Sequence, residues 1–406
     1  MPTIISQQAR LTVRMANRLL TIWDRVSASP TQLDAQNLMR RAQKRTGHND
    51  FGPPGFQEAL QVLIDNINQT VHTPLGRRFL KNELLRSLSN RLECEAHLKM
   101  HPEIEEEPIT PPVFIVGLPR SGTTAVHNML GCLDSHRCLK LWELHHPIPG
   151  AVQAKKWASR WTAALLNFGS PEQRYIHAVE HNLPDECWRL MLNSFSTLVI
   201  ASACDLKDYQ SWLLDHDMSS AYNYYRRLIK IIQRRKPEAR LILKSPEHLW
   251  HLSSVVTSFP DAKIIWTHRD PHDAIASYSS LVSLSHRALF EQCNLHKIGQ
   301  AATEIYRIGL DRAMAFRQTQ QHHDRFLDLH CNDIATNPLT VIETICSFLG
   351  RDLSRHETQN IKTWLDSNRS DRIGTHRYEP TDFGIHKSDI DRQFADYRTA
   401  YNIDRQ

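Results

Sequence analysis

One short stretch of this sequence combines residue types and spacing that suggest anion chemistry. In Gly117-Leu118-Pro119-Arg120-Ser121-Gly122-Thr123-Thr124 the two glycines stand five apart, the spacing of a phosphate-cradling loop. Such a turn aims consecutive backbone N–H groups at an anion, and the N-terminus of the helix behind it adds partial positive charge. Thr124 takes the Ser/Thr position of that loop, but Thr123 stands where its lysine belongs. That lysine normally reaches the outer phosphates of a nucleoside triphosphate, so an ordinary ATPase or kinase is disfavoured. Arg120 supplies charge instead, and its planar fork suits a group with two oxygens. A plain strand-to-helix turn would use the same glycines; the agreement of spacing, strand and helix favours the cradle.

The elements that must position this loop follow from patterning. Val113-Phe114-Ile115-Val116, just before it, is an apolar run bounded by prolines and a glycine, which predicts a buried strand. Leu241–Leu243 and Lys263–Trp266 have the same character, and Arg325–Leu329 is a weaker candidate. Strands alternating with long helical segments predict an α/β fold, a P-loop-type parallel sheet flanked by helices. Ligands of such sheets sit in the loops after the strands. Residues 1–110 predict a helical N-terminal region ahead of a core spanning 111–406. Helical periodicity marks Phe56–Ile67 and Leu75–Leu98, and the run Pro102–Pro112, with four prolines and four glutamates, predicts an extended connector. Leu11, Met15, Leu19 and Ile22 share one helix face beside Arg10, Arg14 and Arg18. A surface helix docked on the core by that face is the favoured expectation, with a membrane-surface helix as the rival.

The 406 residues carry 49 Lys+Arg against 44 Asp+Glu, a net charge of +5, and are 41% hydrophobic. This is globular composition and argues against disorder and disulfide-stapled miniproteins. No apolar run approaches the roughly 20 residues that cross a bilayer. The charge is mixed along the chain, which suits a local anion site better than a nucleic-acid-coating surface. Eight scattered cysteines without a CxxC pair, and a first ten residues without a signal-peptide pattern, predict reduced thiols and a cytoplasmic location. No clustered ligand set asks for a metal.

Beyond the loop, Arg269-Asp270-Pro271-His272-Asp273-Ala274-Ile275-Ala276-Ser277 places a serine eight residues after an arginine at a strand end. Together with PRSGTT at 119–124, this resembles the sulfotransferases that use 3′-phosphoadenosine-5′-phosphosulfate. DFGPPGF at 50–56, TPLGR at 73–77 and HRYEPTDFG at 376–384 are similar to the broad, mostly bacterial branch with a helical N-terminal region. The resemblance implies that Arg120, Ser121, Gly122, Thr123 and Thr124 hold the 5′-phosphosulfate, and that Arg269 and Ser277 grip the 3′-phosphate. Lys244, at the end of another strand, would sit beside the loop, and the resemblance assigns it to the bridging oxygen of the leaving phosphate.

The acceptor hydroxyl must also lose a proton, a step to which a positioned base contributes about 10²- to 10⁴-fold. Glu143, between Trp142 and Leu144, follows Arg120 by 23 residues, about where some sulfotransferases carry a catalytic glutamate. Partial desolvation there would raise its pKa usefully. His248 is the rival, because cytosolic relatives use a histidine shortly after the equivalent lysine; His145 comes third. The stretch Glu180–Glu186 and the aromatics Trp188, Phe195, Tyr222 and Tyr225 are candidate borders of an acceptor site, or ordinary core. Residues 372–384 occupy the place where relatives fold a basic loop over the nucleotide. The expectation is therefore sulfuryl transfer, without metal, to a hydroxyl of a small-molecule, lipid or carbohydrate acceptor, with membrane contact at most peripheral. A P-loop small-molecule kinase and a catalytically silent nucleotide-binding module are the alternatives.

Overall fold

The computed structural model describes residues 9–27, 32–70, 73–169, 172, 179–319, 323–368 and 378–403. Its N-terminal part is helical: α1 (Leu11–Val26), α2 (Ala35–Thr46), α3 (Phe56–Gln69) and α4 (Pro74–Met100). Thr73 caps α4 by accepting from the Gly76 N–H, and Pro74 opens it at the first helical position, where no amide donor is missed. The connector is not wholly extended. It contains one turn, α5 (Glu103–Glu106), because three basic side chains face it: Arg227 and Arg234 pair with Glu105 and Glu103, and Lys230 donates to the Glu105 carbonyl.

The apolar stripe of α1 points the other way from the expectation. Leu11, Met15, Leu19 and Ile22 are exposed, while Val13 and Asn17 face inward. Polar tethers explain the orientation. The Asn17 side chain donates to Glu291 (2.8 Å) and accepts from the Leu75 N–H (3.0 Å), and Asp24 pairs with Arg78.

The second half follows in the order β1 (Val113–Gly117), α6 (Thr123–Leu130), β2 (His136–Cys138), α7 (Leu141–His145), α8 (Val152–Gly169), α9 (Trp188–Met191), α10 (Leu198–Ala203), α11 (Lys207–Asp215) and α12 (Ser219–Gln233). After these come β3 (Arg240–Lys244), α13 (Leu252–Ser258), β4 (Lys263–His268), α14 (Pro271–Phe290), α15 (Leu295–Gln318) and β5 (Phe326–His330), with short helices beyond. The five strands are parallel, in the order β2-β3-β1-β4-β5. Side chains alternate across the sheet. Phe114, Val116, Leu243 and Trp266 join the core shared with the N-terminal helices. Val113, Ile115, Ile242 and Ile265 pack on the opposite face against Val126, Met129 and Ile345. Both faces are covered, as a parallel sheet requires.

This order puts β1 at the centre. The loop that leaves β1 is therefore flanked by the carboxyl end of β3 on one side and of β4 on the other, which brings Lys244 and Arg269 to the same crevice.

Candidate active site

Gly117 closes β1 at φ 145°, where a Cβ would lie 2.6 Å from the Thr267 carbonyl oxygen of β4. Only glycine fits that close approach. The loop then turns through Arg120 at φ 75° and Gly122 at φ 95° into α6. A left-handed arginine is costly, and four contacts hold it there. Ser121 Oγ donates to the Leu118 carbonyl (2.7 Å) and shares a hydrogen bond with Thr267 Oγ1 (2.6 Å); Tyr306 of α15 donates to the Pro119 carbonyl (3.1 Å); and Arg269 Nη1 donates to the Arg120 carbonyl (3.0 Å). Ser121 is thus spent on the loop itself, its own N–H bonded to the Leu118 carbonyl. The first amides of α6, at Thr123 and Thr124, belong to the helix turn whose N–H groups have no intrahelical partner.

The arginine side chains converge. Arg120 Nε donates to Ser277 Oγ (3.1 Å) on α14. Arg269 lies alongside and reaches Asp273 only loosely, at 3.4 Å. Burial lowers the Arg120 pKa from its usual value, and the Arg269 charge pushes the same way. Two neighbouring guanidiniums repel each other, which an anion with several charges would relieve. Asp270 caps α14 by accepting from the His272 N–H, with Pro271 at the first helical position, so Ser277 falls on the second turn facing Arg120. Residues 372–377 lie outside the described residues; Tyr378, which follows them, is near enough to Arg120 to act on its charge.

Lys244 is 1% exposed and donates to Glu186 (2.8 Å) and, at 3.4 Å, to Thr124 Oγ1. Glu186 closes the stretch 180–186. It lines a cavity of about 120 Å³ shared by Arg120, Thr123, Thr124, Glu247 and Tyr306. Glu186 also lines an adjoining apolar cavity of about 210 Å³ between α4, α8 and α14. Trp188 borders that second cavity, whereas Phe195, Tyr222 and Tyr225 are wholly buried in the core and line neither. A third, polar cavity of about 480 Å³ opens on the far side of Arg269, against His330 and Asn332.

The structure brings neither Glu143 nor His248 to these cavities. Glu143 Oε1 accepts from Arg137 and Arg235, and Oε2 caps α7 at the Lys140 N–H (3.1 Å), so its oxygens serve a buried charge cluster. His248 turns into the core, with Nδ1 hydrogen-bonded to Tyr222 (2.8 Å) and its ring edge-on to Phe114; burial pushes its pKa down to about 3. His145 is likewise buried, between Ser159 and Arg189.

Besides Glu186, which is paired with Lys244, a second carboxylate lines the loop cavity: Glu247, one residue before His248 in the turn after β3. Its Oε2 accepts from Thr197 Oγ1 (2.7 Å) and the Leu198 N–H (2.9 Å), while Oε1 has no hydrogen-bond partner among the described residues. Burial, with the Glu186 charge adding, pushes its pKa up to about 8. Sequence reasoning singled out the histidine beside it and passed over Glu247. The available signal was its place in a loop after a strand. Tyr306 and Thr267 carried no local signal, because their contacts span well over 100 residues.

The fold is that of an α/β protein of the P-loop kind, in whose loop Thr123 stands in place of the usual lysine and Arg120 lies close by. The chain belongs to the sulfotransferase family: a sequence profile of that family matches residues 111–355, more than half of its length. It is similar to omega-hydroxy-beta-dihydromenaquinone-9 sulfotransferase Stf3 of Mycobacterium tuberculosis and of Mycobacterium bovis, at 26% identity over 59% of this chain. That match spans 63% of the relatives' length, a little under two thirds. In structure it is similar to sulfotransferase STF9 from Mycobacterium avium (TM-score 0.79, 26% identity, 93% of this chain and 98% of that one). It is also similar to sulfotransferase STF1 from Mycobacterium tuberculosis (TM-score 0.74, 26% identity, 90% and 99%).

Proposed function

We propose that this chain is an enzyme that transfers a sulfuryl group from 3′-phosphoadenosine-5′-phosphosulfate to the hydroxyl of an apolar acceptor. The observation that carries the reading is the group Arg120, Ser277 and Arg269, tied by hydrogen bonds at 3.1 and 3.0 Å beside the phosphate loop. Three cations counting Lys244 converge where a donor with both a 5′-phosphosulfate and a 3′-phosphate presents its charge. Arg120 and the amides of Gly122, Thr123 and Thr124 take the phosphosulfate, with Ser121 holding the loop in shape. Arg269 and Ser277 take the 3′-phosphate, and the polar cavity beyond Arg269 takes the adenosine.

In the reaction the acceptor oxygen bonds to sulfur as the bond from sulfur to the bridging phosphate oxygen breaks. Adenosine 3′,5′-bisphosphate leaves with the electron pair, and Lys244 stabilises the charge that develops on it. The proton of the acceptor hydroxyl passes to Glu247, whose pKa near 8 matches a base working around neutrality. Glu186 keeps Lys244 aimed at Thr124. The acceptor enters through the adjoining apolar cavity, which favours a lipid-like alcohol, in keeping with the quinone-derived substrate in the name of Stf3. Eight unpaired cysteines suit a cytoplasmic setting.

Calorimetric titration with adenosine 3′,5′-bisphosphate and with Mg-ATP tests the nucleotide class. Tighter binding of the bisphosphate without magnesium is expected; preference for Mg-ATP would overturn the reading in favour of a kinase. Transfer of labelled sulfate to a panel of lipid alcohols tests for turnover, and its absence across the panel would leave only a silent binding module.

A further inference from the structure

We propose that the exposed apolar faces of α1 and α8 together form a docking surface for an anionic lipid bilayer, which seats the mouth of the apolar cavity against the membrane. Among the described residues thirteen large hydrophobic side chains are exposed, and eleven of them lie on these two helices. Scattered apolar residues are normal on a surface, but concentration on two elements marks an interaction site. On α8, Trp157, Trp161, Leu165 and Phe168 follow one face at spacings of three and four, and the two tryptophans are 64% and 61% exposed. On α1 the face is Leu11, Met15, Leu19, Ile22, Trp23 and Val26.

The start of α1 and the end of α8 are tied together near the cavity rim. Arg10, just before α1, pairs with Glu172, just after α8, at 2.8 Å. Asn17 ties α1 to Leu75 of α4, and Leu75, Leu165 and Gly169 all line the apolar cavity. Leu165 is therefore part of both the cavity wall and the exposed face.

Charge selects the occupant. The two helices carry six basic residues (Arg14, Arg18, Arg25, Lys155, Lys156 and Arg160) against one acid, Asp24, which is already paired with Arg78. A second copy of this chain would bring like charges together, whereas anionic headgroups complement them. Tryptophans beside basic residues on an amphipathic helix suit the headgroup boundary. No described helix is long and apolar enough to cross a membrane, so this contact lies in the interface plane. The value of such docking rests on the lipid-acceptor reading above, since it delivers an amphiphilic alcohol directly to the cavity.

The test is vesicle flotation of the full chain, with equal parts phosphatidylglycerol and phosphatidylcholine or with phosphatidylcholine alone. The unaltered protein should float with the anionic vesicles and be released by salt. Leu19→Glu/Trp23→Glu and Trp157→Glu/Trp161→Glu should each lower the partition coefficient by about tenfold or more. Their melting temperature, bisphosphate affinity and turnover on a short-chain soluble alcohol should match those of the unaltered protein. Failure of that protein to bind anionic vesicles at low salt, or equal binding by both double variants, would overturn the proposal. So would a dimer in sedimentation that both variants dissolve, because a second copy would then cover the face. Absent vesicle binding with normal bisphosphate affinity sinks the docking alone, whereas absent bisphosphate affinity sinks the sulfuryl-transfer reading whatever the vesicles show.

Discussion

Arg269→Ala separates two jobs of one side chain, the loop contact seen in the structure and the 3′-phosphate contact of the proposed function. Its Nη1 holds the Arg120 carbonyl at 3.0 Å, and so supports the left-handed turn of the loop for any ligand. Losing one such hydrogen bond costs about 1 kcal/mol, or roughly a fivefold weaker affinity for every nucleotide. In the proposed function the remaining donors face the 3′-phosphate. Charge-assisted hydrogen bonds contribute about 1.5–3 kcal/mol each, and with the side chain 31% exposed the lower part of that range applies per bond. One to two bonds then give about 2–3 kcal/mol, a further 30- to 150-fold loss. Only ligands with a 3′-phosphate suffer that second loss. Titration calorimetry of both proteins with adenosine 3′,5′-bisphosphate and with 5′-AMP, which shares the adenosine and the 5′-phosphate, reads the two terms separately. The 5′-AMP affinity should fall by about fivefold and the ratio of the two affinities by about 30-fold or more. An unchanged ratio refutes the assignment of Arg269 to the 3′-phosphate, however large the common loss.

Other outcomes follow from the same geometry. Glu247→Gln should cut turnover by about 10²-fold or more with bisphosphate affinity intact. The turnover of the unaltered enzyme should rise with pH towards about 8, because the base works only when deprotonated; a flat profile would exclude Glu247 from that step. The raised pKa also means that the folded state loses stability as pH climbs from 4.5 towards 8, so the melting temperature should drop over that window in the unaltered protein and less in Glu247→Gln. Glu143→Gln should instead lower stability by about 3 kcal/mol, since it leaves Arg137 and Arg235 without their buried partner. Its turnover should remain within a few-fold in a stopped assay below the melting transition; a loss of 10²-fold would restore Glu143 as the base. Lys244→Met should reduce turnover by about 10²- to 10³-fold while weakening bisphosphate binding less than tenfold, and a turnover effect below tenfold would remove it from the leaving oxygen.

What could be read in the chain was local. The spacing from Gly117 to Thr124, the apolar run ahead of it, and Arg269 followed by Pro271 and Ser277 all concern neighbours in sequence, where backbone geometry determines what sits beside what. Those residues do meet, since parallel strands deliver their carboxyl ends to one edge of the sheet. Three-residue β2, His136–Cys138, has no apolar pattern and exists only because β3 offers it a ladder.

Tertiary structure decided the rest, and at each point the reason was competition for partners. Glu143 has the residue type of a base, but Arg235, 92 residues later in the chain, claims it. His248 and Glu247 are adjacent in sequence, and the tight turn after β3 sends one into the core beside Tyr222 and leaves the other facing the loop cavity. The periodicity of α1 showed that an apolar face exists, but not which way it points. Asn17 and Asp24, by finding Leu75, Glu291 and Arg78, turned that face to solvent. A hydrophobic stripe contributes the same free energy against any apolar neighbour, whereas a buried amide must find its particular donor and acceptor, so the polar contacts set the orientation.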